Sequence, residues 1–126
     1  MDKFILEGTS RTPAIMLDFK ANALAISGES YPENVTEFYG QLLSALDRYF
    51  SQDKDQLAVS IQLDYFNSGS AHALLKLATK LNEKAADGCE MSLVWACHDD
   101  DDISEEFAED ILSLAPQIKM TIEKTS

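Results

Sequence analysis

Leu57, Val59, Ile61, Leu63 and Tyr65 are hydrophobic at every second position, and among the even positions 58 to 64 only Ala58 is apolar. A period of two marks a strand with one face turned to a core. The polar alternate face predicts a side that is less deeply covered. Ile15, Leu17 and Phe19 alternate with Met16 and Asp18, and Leu24 and Ile26 repeat the pattern beyond Ala21-Asn22. Two alternating runs across a short break read as an antiparallel hairpin. Phe4 to Glu7 forms a short edge strand ahead of a polar loop, Gly8 to Arg11. Met91, Leu93 and Trp95 mark another strand, and Ile118, Met120 and Ile122 a last short one.

Between these runs the period changes. Val35, Phe38, Tyr39, Leu42, Leu43, Leu46, Tyr49 and Phe50 recur at helical spacing, the clearest amphipathic pattern in the chain. The preceding break, Gly28 to Asn34, is dense in helix-start signals: Pro32 suits a first helical turn, and Asn34 with Glu37 has capping-box spacing. Gln52 to Asp55 ends this helix in polar residues. Phe66-Asn67-Ser68-Gly69-Ser70 predicts a sharp turn into a second helix with Ala71, Leu74, Leu75, Ala78 and Leu81 inward, stopped at Asp87-Gly88. After an acidic loop, a third helix carries Phe107, Ile111 and Leu114 and ends at Pro116. The predicted order is β-β-β-α-β-α-β-α-β. That order makes an α/β sandwich, a mixed β-sheet packed with about three α-helices. No linker divides residues 1–126, so one domain is expected.

Charge narrows the function. Ten basic residues against 22 acidic give a net charge of −12. That sign argues against nucleic-acid and anionic-membrane partners, both of which are met with Lys and Arg. It suits a basic protein partner or plain solubility. No apolar run approaches the ~20 residues of a membrane span, and Met1-Asp2-Lys3-Phe4 lacks a basic segment followed by an apolar one, so the expected location is the cytoplasm. Cys89 and Cys97 fall at opposite ends of a strand, roughly 25 Å apart at ~3.3 Å per residue. A disulfide needs Cα atoms within about 7 Å, so both thiols are expected reduced.

Candidate chemistry concentrates in Asn67-Ser68-Gly69-Ser70. Strand-to-helix turns of α/β folds collect ligands and modifications, and the free N–H groups of a helix start stabilise an anion. A phosphate on Ser68 or Ser70 fits there; so does a plain reading in which Ser70 caps the helix and Gly69 makes the turn. Tyr31-Pro32-Glu33 is either part of a docking surface, with Tyr31 as anchor, or a helix-entry device in which Tyr31 packs on Phe38 or a neighbour. His98-Asp99-Asp100-Asp101-Asp102 invites a metal, but the spacing is wrong for a calcium loop, and Asp101 or Asp102 is better placed to cap the next helix. His72 reads as an exposed helical residue near the turn. Neither a nucleophile elbow, a P-loop nor a dinucleotide fingerprint occurs. Neither cofactor nor metal is called for.

Leu63-Asp64-Tyr65-Phe66-Asn67-Ser68-Gly69-Ser70-Ala71 resembles the signature of the SiaC family of biofilm-regulating phosphoproteins. Arg11-Thr12-Pro13-Ala14-Ile15 and Gly28 to Asn34, followed by Phe38-Tyr39-Gly40, resemble further family blocks. So do Leu93-Val94-Trp95 and the acidic stretch from Asp100 to Glu109, and the likeness spans nearly the whole chain. The resemblance implies a STAS-like fold, akin to anti-sigma-factor antagonists, and a non-enzymatic phospho-switch. It implies a partner kinase and a PP2C-type phosphatase acting on Ser68, with Ser70 second. It further implies that the unmodified form binds and activates a diguanylate cyclase, raising cyclic-di-GMP. Asn67, Gly69, Ser70, Tyr31, Pro32 and Glu33 are the expected partner-binding residues. Gly69 departs from relatives that often carry a second Ser or Thr there, which narrows the choice to Ser68 and Ser70. The alternatives are an anti-sigma-factor antagonist in a partner-switching cascade and, from another class, a small metal-binding protein using His98 and the acidic loop.

Overall fold

A computed structural model describes residues 3–126. Its elements are β1 (Lys3–Leu6), β2 (Ala14–Asp18), β3 (Ala23–Ser30), α1 (Val35–Phe50), β4 (Gln56–Phe66), α2 (Ser68–Ala86), β5 (Glu90–His98), α3 (Asp102–Leu114) and β6 (Lys119–Thr125). This is the predicted order. The strands form one mixed sheet in sequential order, β1 to β6. β1, β2 and β3 pair antiparallel, whereas β3 to β6 run parallel. Each parallel step needs a crossover, and three crossovers of one hand between successive neighbours put all three helices on one face.

Strand burial records that arrangement. Leu57, Val59, Ile61 and Leu63 are at most 2% exposed, while Ala58, Ser60, Gln62 and Asp64 face solvent. The thin cover expected over the even positions is therefore an open sheet face. Beneath the helices, Trp95 is fully buried, and its indole N–H donates to the Oγ of buried Ser104 at 2.9 Å.

Two expectations fail at one place, for one reason. Gly28-Glu29-Ser30 was expected as a break but completes β3, and Tyr65 was expected inward but is 51% exposed. Gly28 pairs with Leu63 while Glu29 pairs with Tyr65, so β4 holds one extra residue, Asp64, at the register shift. Such a shift re-aims the side chains beyond it. Gly28 accommodates it at φ +117, a backbone region that L side chains rarely adopt. Tyr65 consequently turns out, and Phe66 turns in against Phe107 and Trp95, with ring centroids 4.9 and 6.0 Å away.

Smaller corrections concern the helices. Pro32 precedes α1, which starts at Val35 with Asn34 as its cap, the Asn34 side chain accepting from Glu37 N–H at 3.0 Å. In α2 the buried set includes Leu77, which the reading missed, while Ala71 and Leu75 are only partly covered. Leu114 of α3 is 45% exposed, and Ala108 takes an inward place instead. Cys97 is buried inside β5, Cys89 lies just before it, and both are free thiols.

Candidate functional site at the start of helix α2

β4 ends at Phe66 and α2 begins at Ser68, so a single residue, Asn67, joins them. Asn67 can do this because its side chain replaces the missing helical turn: Oδ1 accepts the Ser70 N–H at 2.8 Å, and its carbonyl accepts the Ala71 N–H at 2.9 Å. Asn67 is therefore the cap, which removes the plain alternative in which Ser70 caps the helix and Gly69 makes the turn. Ser68, Gly69 and Ser70 form the first helical turn, where backbone N–H groups without helical acceptors and the helix dipole favour negative charge.

Within that turn the two serines diverge. Ser68 is exposed, on the outer face; Ser70 is 0% exposed and points at the carboxyl end of β3. The Ser70 hydroxyl donates to the Ser30 carbonyl at 2.9 Å, and its oxygen accepts from the Ser30 hydroxyl at 2.8 Å. Ser30 Oγ lies 2.6 Å from the Tyr39 hydroxyl. Each hydroxyl has one proton to give. With Ser70 donating to the carbonyl and Ser30 to Ser70, Tyr39 must donate to Ser30. The result is a one-way chain from α1 through β3 to α2, with every member satisfied. Burial pushes the Tyr39 phenol up, and the neighbouring Ser30 and Ser70 hydroxyls offset this only in part. The phenol thus keeps the proton that the chain requires. Ser30 also anchors the cap, since its carbonyl accepts the Asn67 N–H at 3.1 Å.

The loop after β3 lies beside this turn. Tyr31 packs edge-on against Tyr65, centroids 5.6 Å apart, and Arg11 stands over the Tyr31 ring at 5.9 Å. Arg11 also donates to Glu33 at 2.9 Å, and Tyr31 N–H donates to the Arg11 carbonyl at 2.7 Å. Tyr31 does not stack on Phe38, which pairs with Tyr39 instead. Pro32 is half-buried between Tyr31 and Glu33. On the far side, Ser68 shares a shallow recess with Ile103, Glu106, Phe107 and Asp110 of α3.

Of the predicted residues, Asn67, Ser68, Gly69 and Ser70 therefore share one turn, and Tyr31 and Glu33 form an adjoining cluster through Arg11. His72 and His98 do not meet: His98 sits on β5 with its Nε2 3.7 Å from Asp64. Asp101 caps α3, accepting the Ser104 N–H at 3.0 Å. Sequence reasoning missed Ser30 and Tyr39. The available signal was Tyr39 itself, because a tyrosine on an inward stripe must find a partner for its hydroxyl.

Fold and site together define a two-layer α/β domain that presents a capped helix start at the carboxyl edge of its parallel strands. The chain matches the profile of the SiaC family regulatory phosphoproteins over residues 6–125 and belongs to that family. An uncharacterized protein of Pseudomonas aeruginosa strain UCBPP-PA14 is 34% identical over 116 residues, 87% of this chain and 90% of its own length. SiaC of Pseudomonas aeruginosa superposes with a TM-score of 0.90 at 29% identity, covering 99% of this chain and 100% of that one. A crystal structure of the diguanylate cyclase SiaD in complex with its activator SiaC, from the same species, matches with a TM-score of 0.90 at 29% identity, over 97% and 99% of the two chains.

Proposed function

We propose that this chain is a non-enzymatic regulator that binds and activates a diguanylate cyclase while Ser68 is unmodified and releases it when Ser68 is phosphorylated. The observation that carries this is the contrast inside one helical turn: Ser68 is exposed, whereas Ser70 is fully buried and its hydroxyl is already engaged. A kinase can reach Ser68 with the fold intact; Ser70 would have to be pulled out of the chain of hydroxyls. The structural relative bound as activator to the cyclase SiaD supports a cyclase rather than a sigma-factor regulator as the effector. A partner kinase and a PP2C-type phosphatase set the state of Ser68. Among the described residues no helix is long and apolar enough to cross a membrane, consistent with a cytoplasmic regulator.

Phosphate changes the surface without undoing the fold. It adds about −1.5 to −2 charges and three acceptor oxygens, which the start of α2 tolerates through its N–H groups and dipole. The same charge lies beside Glu106 and Asp110 and next to Ile103, which is 76% exposed. An effector packed over Ile103 must then desolvate a phosphate. A loss of about 3 kcal/mol weakens binding roughly a hundredfold. Calorimetric titration of the cognate cyclase is the test. Wild type and Ser68→Ala are expected to bind alike, and Ser68→Glu and the purified phosphoprotein to bind about a hundredfold more weakly. Equal affinity for all four forms would overturn the switch.

A further inference from the structure

Two glycines inside helices have no explanation in the fold. Gly40 lies in the second turn of α1 and Gly69 in the first turn of α2, both within the helix bounds. Glycine is the poorest helix former after proline, so a helical glycine is expected where something comes close. Among the described residues nothing comes closer than ordinary contact: a Cβ on Gly40 would meet no atom within 4 Å, and one on Gly69 would touch Val35 Cγ1 at 3.5 Å and Asn67 Oδ1 at 3.7 Å. Neither has a positive φ.

Both glycines line the same groove, between α1 and α2. Its floor is apolar, from Leu43, Ala73 and the ring of Tyr39, and it encloses about 70 Å³. That is roughly half the ~150 Å³ of an apolar cavity that accepts benzene, enough for one aliphatic side chain. The floor is held in place by the Tyr39–Ser30–Ser70 chain.

The rim carries the opposite sign to the molecule. His72 and Lys76 stand along the groove, and Lys80 and Lys84 continue the row at four-residue steps. Lys80 pairs with Asp47 of α1, but no ion pair among the described residues uses Lys76. On a chain of net charge −12, the unpaired Lys76 ammonium over an apolar floor, with the His72 imidazole beside it as a hydrogen-bond donor, selects an acidic ligand.

We infer that the α1–α2 groove seats an acidic segment of the effector, with one aliphatic side chain placed between Gly40 and Gly69 and carboxylates against His72 and Lys76. This rests on the reading that the unmodified chain binds a cyclase, and it names where the cyclase holds on. Ser68 lies one helical turn before His72, so a phosphate there also draws on the basic rim that the carboxylates use.

The probe is the full cognate diguanylate cyclase, titrated against the whole chain in low and moderate salt. Gly40→Leu fills the groove while improving helix propensity, so it is expected to melt no earlier than wild type. Its affinity should fall about thirtyfold, the scale of a lost interface anchor. Lys76→Glu, a fully surface change that keeps the proposal testable if Gly40→Leu folds poorly, should cost about five- to tenfold and flatten the salt dependence. Wild-type affinity for either variant, with phosphorylation still releasing the cyclase, would overturn the groove and leave the switch standing. Loss of binding in both variants, with a phosphoprotein that binds as well as wild type, would uphold the groove and remove the switch. A cyclase that binds no form of the chain overturns both.

Discussion

The inward and outward faces of the first turn of α2 are built from the same residue type and do opposite things. Inward, Ser70 is one link in a closed chain of hydroxyls that ties three elements together, and nothing in it is left to react. Outward, Ser68 stands over solvent between a groove with a basic rim and a recess with an acidic one. Two residues of helix separate them, about 200° of rotation at 3.6 residues per turn. The lesson is that the helix cap, not the serine, determines the role. Asn67 caps the turn with its own side chain, through the Ser70 N–H, which leaves one serine for structure and one for surface.

The largest test of this contrast applies the same substitution to both faces. Ser70→Asp places a carboxylate where no cation can meet it, and an unpaired buried charge costs about 3–5 kcal/mol. Ser68→Asp sets the same group in water at a helix start, where the dipole contributes about 0.3–1 kcal/mol against repulsion from Glu106 and Asp110. Urea denaturation should therefore show a heavily destabilised Ser70→Asp and a Ser68→Asp close to wild type, within about 0.5 kcal/mol. Comparable losses in the two variants would mean that the faces are not distinct.

A smaller effect is expected where the faces share a residue. Asn67→Ala removes the acceptor for the Ser70 N–H while leaving Ser68 untouched, and loss of such a cap costs about 1 kcal/mol. If the cap sets the geometry of the outward face as well, this variant should also weaken the cyclase a few-fold, by about the factor that 1 kcal/mol gives. A full loss of stability with unchanged affinity would confine Asn67 to the inner face.

Much of this could be read from the chain beforehand. Element order followed from period alone because every strand after β1 alternates and every helix carries a stripe. The turn that joins β4 to α2 was found from Asn67 to Ser70, and the open sheet face from the even positions of β4. What escaped reading has physical causes. The register shift at Asp64 reverses Tyr65 and draws Ser30 into the strand, and a one-residue slip is a pairing event between distant segments. The hydroxyl chain joins residues up to 40 positions apart, so neither spacing nor composition contains it. Gly40 looked like part of a family block and nothing more, because the emptiness beside a glycine exists only once two helices are packed.

The smallest expected effect addresses how phosphate would release the partner in the proposed switch. On the outward face Ser68 is flanked by Glu106 and Asp110 on one side and by His72 on the other. If charge repulsion contributes to release, Glu106→Gln combined with Asp110→Asn should return part of the affinity lost on phosphorylation. Exposed charge pairs contribute about 0.2–1 kcal/mol each, so recovery of about two- to fivefold is expected at low salt, fading as screening grows. Unmodified protein carrying the same pair should bind the cyclase as before, because the acidic recess has no phosphate to oppose. No recovery at low salt would assign release wholly to the cost of desolvating the phosphate. The acidic recess would then be a consequence of the chain's overall negative charge and not part of the switch.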